Sequence, residues 1–176
     1  MADDWTMGWT RAAGLALSSW TRDPRALAEP EASRRLEVLL EEVVCRWDLA
    51  LHAYVILPGA LHLVTGRPLV SEPDPRIPWP AALGLVKGSF ARWQHARSGG
   101  RGSSWRAAVR VRPLAPPALR DAIDALHAAP VSLGLVTEPS AYRFSSWQRL
   151  YAVREPSFVT PAPGALGALG ALGSRT

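Results

Sequence analysis

Residues 52–66 read HAYVILPGALHLVTG. Two apolar segments, 49–57 and 60–66, carry the β-branched and aromatic side chains that favour strands, and Pro58-Gly59 stands between them. Proline presets φ and glycine accepts a positive one, so the expected corner is a type II turn. A two-residue connection pairs Leu57 with Ala60 and Val55 with His62, which puts Tyr54 on the opposite face with Leu61 and Leu63. Tyr54 is therefore expected in the core. His62 is an imidazole on an otherwise apolar strand, and its plain structural role is a hydrogen-bonded histidine on a partly buried sheet.

Outward from this hairpin the pattern alternates between strand and helix. Gly14 to Trp20 reads as a strand. Across Ala32 to Trp47, Leu36, Leu39, Leu40, Val43, Val44 and Trp47 recur at three- and four-residue steps and form one stripe of a helix. The proline-dense loop 67–80 cannot continue a sheet, and Ala81 to Ala96 returns to helical spacing through Leu83, Val86, Phe90 and Trp93. The linker SGGRGSS (98–104) breaks that helix. From Trp105 to Arg112, Trp105, Ala107, Val109 and Val111 alternate with Arg106, Ala108, Arg110 and Arg112, giving a strand with an arginine face. Pro116-Pro117 opens a further helix with Leu119, Ile123 and Leu126 as its stripe, and Pro130 is expected to end it. The order βαββαβ, with extra helical material after it, predicts a ferredoxin-like α+β sandwich. The expected division is an N-terminal extension (1–12), one domain (13–152) and a disordered tail (153–176) built on repeated Gly-Ala-Leu units.

A chain of 176 residues with 48% apolar content can bury one core of ordinary size. No apolar run approaches a membrane span, and the acidic start MADDW is unlike a secretory leader. A soluble cytoplasmic protein without a membrane partner is expected. Cys45 alone makes neither a disulfide nor a cysteine zinc site. Charge is segregated. Arg76, Lys87, Arg92, Arg97, Arg101, Arg106, Arg110, Arg112 and Arg120 occur with no Asp or Glu among them, whereas the remainder holds 11 basic and 15 acidic residues. Such a field attracts polyanions and makes their binding salt-dependent.

Two segments, taken together, resemble a known family. AYVILPGALHL around Tyr54–Leu63 is similar to the "tyrosine, apolar run, Met-Pro-Asn-His-Val-His-Leu" hairpin of REP-associated tyrosine transposases and related single-tyrosine, HUH-type insertion-sequence transposases. LHAAPVSLGLVTEPSAYRFSSWQRLY (126–151) resembles that family's "Tyr-Ile-His-Leu-Asn-Pro-Val-Arg-Ala-Gly-Leu-Val … Tyr-x-Trp-Ser-Ser-Tyr" block through His127, Pro130, Val131, Gly134, Leu135, Val136, Tyr142, Ser145 and Ser146. The resemblance implies the same ferredoxin-like fold. It also implies a chemistry: two histidines on a strand and an amide on a helix hold a divalent metal, and a helical tyrosine attacks a DNA phosphate to leave a 5′-phosphotyrosine link.

This sequence departs from that pattern. The first histidine position holds Ala60 and the second His62. The nucleophile position holds Ala125 and the amide position Ala129. One imidazole is a poor trap for magnesium or manganese, which favour several oxygen ligands. The resemblance therefore implies a degenerate member that recognises hairpin or single-stranded DNA without cleaving it. No cofactor is expected; Mg or Mn would be needed only by the alternative, an active transposase with a displaced nucleophile. A second alternative is a protein-interaction module that retains only the fold. Family members often pair, so a homodimer is possible in principle. The candidate nucleic-acid contacts are Lys87, Arg92, Arg97, Arg101, Arg106, Arg110, Arg112 and Arg143, with Arg149 beside them and Trp93 or Trp105 as stacking platforms.

Overall fold

The computed structural model describes residues 13–66, 79–151 and 158–162. The strands are β1 (Gly14–Trp20), β2 (Leu51–Leu57), β3 (Ala60–Gly66) and β4 (Arg110–Leu114). The helices are α1 (Pro30–Arg46), α2 (Trp79–Ser98), α3 (Pro116–Ser132) and the short α4 (Trp147–Tyr151). The sheet order is β2-β3-β1-β4, with every neighbouring pair antiparallel. The βαββαβ order and this sheet are the expected ferredoxin-like α+β sandwich, and α3 and α4 are its additional helical segment.

Side-chain alternation gives the sheet two unlike faces. Leu15 and Leu17 of β1, Leu51, Tyr54 and Ile56 of β2, and Leu61 and Leu63 of β3 pack with Leu36, Leu39, Leu40 and Val44 of α1 and Leu83, Val86 and Phe90 of α2. A bulge between Leu51 and Ala53 lets Leu51 and Tyr54 share that face despite their odd spacing. On the other face Ala53, Val55, Leu57, Ala60, Val64 and Leu114 meet Leu119, Ile123 and Leu126 of α3. A buried leucine contributes about 1.5–3 kcal/mol, so both layers matter to stability. α3 lies mainly over β2 and β3, which leaves the β1–β4 side less covered. Among the described residues, no helix is long and apolar enough to cross a membrane.

The hairpin has the expected register, Leu57 with Ala60 and Val55 with His62. Its corner is not type II, because Gly59 does not take a positive φ. A close approach explains the glycine instead. A Cβ there would stand 2.7 Å from the Pro24 carbonyl oxygen and 2.9 Å from its Cα. The 21–27 segment is held against this corner by Thr21 N–H to Gly59 O (3.0 Å) and Leu27 N–H to Pro58 O (2.8 Å).

Pro130 does not end α3. A proline deletes one hydrogen bond, and near the last turn the loss is tolerated. The helix runs to Ser132 and stops where Gly134 adopts φ +68°. Gly134 N–H donates to Val131 O (2.9 Å) and Leu135 N–H to Pro130 O (2.9 Å), the paired bonds of a Schellman cap.

The strand expected from residue 105 is also interrupted. Trp105 bridges Thr21, and regular pairing resumes only at Arg110 with Ser18. Between those pairs β1 advances three residues and its partner five. Two extra residues preserve parity, so Val109 and Val111 stay on the side of Trp105, and Arg110 and Arg112 on the other. Finally, the domain extends past 152. Phe158, Val159 and Ala162 are buried, and Thr160 N–H donates to Leu51 O (2.7 Å), extending the chain along β2. The extension 1–12 and the rest of the expected tail, 153–157 and 163–176, lie outside the described residues.

Candidate nucleic-acid interface

On the less covered part of the α3 face, one row crosses the sheet: Val55, His62, Ser18 and Arg110 are successive register partners. Register partners project to the same side. The next rows add Val64, Ala16 and Arg112 on one flank, and Leu57, Ala60 and Trp20 on the other. Ala16, Ser18, Trp20 and His62 are half-buried, whereas Arg110 and Arg112 are exposed. None of the four strands contains an Asp or Glu.

Contacts fix the row. His62 Nδ1 lies 2.8 Å from Ser18 Oγ. The His62 ring meets Trp20 edge-on, with centroids 5.8 Å apart and planes at 83°. The Arg110 guanidinium stands 5.4 Å from the centroid of the same indole. Trp20 thus braces a cation and an imidazole at once. Burial pushes the His62 ring below its usual 6.5, so it is neutral at pH 7.

The donor set does not fit a divalent metal. Ala60 and Ala129 offer methyl groups, His62 is a single imidazole, and no group of three His, Cys, Asp or Glu able to hold a metal occurs among the described residues. The three tyrosines are placed elsewhere. Tyr54 is fully buried on the opposite face, donating to Glu37, receiving a bond from Arg149 Nε (3.2 Å) and stacking on Phe158. Its hydroxyl is pushed far up by burial and by the Glu37 carboxylate. Tyr142 donates to Ile56 O (2.7 Å). Tyr151 packs against His127 and Trp147 and lines a small cavity with His52, Arg120 and Ile123. Ala125, the nucleophile position of the resemblance, is exposed on α3.

The residues of the 126–151 block serve architecture. Ser146 N–H donates to Tyr54 O (2.9 Å), Tyr54 N–H to Ser146 Oγ (2.9 Å), and Ile56 N–H to Phe144 O (2.8 Å). His127 Nε2, 2.9 Å from Ser146 Oγ, fastens α3 to that edge, and burial lowers its pKa to about 4.

The sequence-predicted cations are dispersed. Lys87, Arg92 and Arg97 belong to α2, whose core side packs on the other face of the sheet. Lys87 Nζ donates to Arg106 O (3.2 Å) and lies over the Trp105 ring. Arg92 reaches Ser89 Oγ (2.9 Å), and Arg97 pairs with Glu31 and covers Trp93. Arg101 and Arg106 are exposed in the connection to β4, and Arg143 lies over Phe144. Arg149 is committed to Tyr54 and Glu37. Trp105 is buried against Phe90 and unavailable for stacking. Of these, Arg110 and Arg112 stand in regular register rows on the face of His62. Sequence reasoning missed Ser18 and Trp20; the signal was their i, i+2 spacing on an antiparallel partner of β3.

No protein-family model matches the sequence, and no curated protein matches it. Among solved structures, a REP-associated tyrosine transposase bound to a REP hairpin superposes with a TM-score of 0.66 at 17% identity, over 85% of this chain and 86% of that one. A proposed transposase from Deinococcus radiodurans R1 gives a TM-score of 0.46 at 19% identity, over 65% of this chain and 87% of that one, an overlap too low to carry an argument. By the first of these likenesses, the chain has the fold of a REP-associated tyrosine transposase.

Proposed function

We propose that the chain is a DNA-binding relative of the single-tyrosine transposases that recognises hairpin or single-stranded DNA and does not cleave it. The observation that carries this reading is the acid-free row His62–Ser18–Arg110, flanked by Trp20 and Arg112 on a partly open sheet face. Arginine contacts phosphate bidentately, and a half-exposed indole can stack on an unpaired base. The fold neighbour is bound to a REP hairpin, which supports the same class of ligand here. Non-cleavage is supported by chemistry: Ala60, Ala125 and Ala129 lack functional atoms, and the three tyrosines are held in other contacts.

The test uses the whole chain and a fluorescent DNA hairpin with a single-stranded flank. Binding is expected to weaken steeply as salt rises, because displaced counterions drive it. Incubation with manganese followed by a denaturing gel is expected to show no covalent protein–DNA band. A covalent band would establish the active alternative. A salt-independent interaction, or no interaction, would leave a protein-interaction module as the better reading.

A further inference from the structure

Resting on the DNA-binding reading for its biological ligand, we infer that His62 Nε2, Arg110 and Arg112 form a phosphodiester seat that works without a metal ion. The tautomer is the first step. Ser18 Oγ lies 2.8 Å from His62 Nδ1, and no other partner of that hydroxyl occurs among the described residues. If the hydroxyl donates to Nδ1, its hydrogen is satisfied and the single proton of the neutral ring sits on Nε2. The opposite assignment leaves the serine hydrogen without a protein acceptor. Nε2 has no partner among the described residues, so its N–H is available to a ligand. The same imidazole that would be a metal ligand in an intact site becomes a hydrogen-bond donor.

The second step is placement. β3 and β4 are the two neighbours of β1, so with strands about 4.8 Å apart His62 and Arg110 lie about 10 Å apart at their backbones. Both side chains reach the Trp20 ring of β1, which lies between their strands, and the small β1 residues Ala16 and Ser18 form the floor beside it. Arg112 follows Arg110 by two residues on the same face and makes no ion pair with any described residue. A phosphodiester offers acceptors but no donors, which matches a seat made of N–H groups. Hydrogen bonds to an ionised acceptor are the stronger kind.

The experiment measures anisotropy of a labelled single-stranded oligonucleotide in EDTA and again in manganese. Wild-type affinity is expected to be the same in both. His62→Ala is expected to weaken binding about tenfold, as loss of a charge-assisted hydrogen bond would. His62→Gln, which keeps a side-chain N–H, is expected to stay within about threefold of wild type. Affinity that rises with manganese only when His62 is present, or that is unchanged in His62→Ala, overturns the seat. Nitrogen-15 spectra of the histidine rings are expected to show His62 protonated on Nε2, with that resonance shifting on addition of inorganic phosphate. An Nδ1–H tautomer, or no shift, overturns the seat. Should no oligonucleotide bind, the functional reading falls, and the phosphate titration alone decides the seat.

Discussion

Neighbouring residues of β1 live in opposite environments. Leu15 and Leu17 are sealed beneath α1 and α2, while Ala16, Ser18 and Trp20 face a layer that α3 covers only in part. Period-two alternation lets one strand serve the core with odd residues and a ligand with even ones. The consequence is a separation of duties: substitutions on the first side are expected to change stability, and those on the second to change binding.

The largest contrast is expected between adjacent positions. Leu17→Ala should lower the free energy of unfolding by about 2–5 kcal/mol in urea titration, from lost burial and a residual cavity. Ser18→Ala should cost about 1 kcal/mol or less, because the half-open site readmits water. Equal losses would show that the α3 face is as sealed as the other.

Acid separates His127 from His62. His127 is buried, with Ser146 at its Nε2, Tyr151 against its ring and Asp124 on its own helix as the nearby charge. Its folded pKa of about 4 lies below the usual 6.5, so between these values the unfolded chain binds more protons and stability falls as pH drops. From pH 7 to pH 4.5 the expected loss from this group is about 2 kcal/mol, read from urea midpoints. His127→Gln should remove most of that slope, and His62→Gln much less. Equal flattening by the two would place them in equivalent surroundings.

A smaller effect tests the corner that closes both faces. Gly59→Ala and Gly59→Asn should each destabilise by about 1–3 kcal/mol, since either Cβ meets the Pro24 backbone. A left-handed turn would instead tolerate asparagine. Smallest of all, Arg110→Ala with Arg112→Ala should leave stability within about 0.5 kcal/mol.

Local pattern made the architecture readable. The Gly14–Trp20 strand, the hairpin register and the buried Tyr54 all follow from alternation and a two-residue connection. What escaped depends on distant partners. Gly59 answers to Pro24, and the interruption before Arg110 is imposed by pairing with β1. Phe158 belongs to the core because it stacks on Tyr54, although its surroundings in sequence resemble a tail. The candidate site was half legible for the same reason. His62 stood out by composition, yet a one-dimensional charge run grouped Arg97 with Arg110, which the fold places in different layers.

The most direct test compares those two layers. Anisotropy of the labelled hairpin across a salt series should give Arg110→Ala with Arg112→Ala a dependence on log salt shallower by about 1 to 2 units than wild type, because two phosphate contacts are gone. Arg92→Ala with Arg97→Ala should keep the wild-type slope. The reverse pattern, or equal slopes for all three proteins, would contradict a DNA site on the His62 face of the sheet.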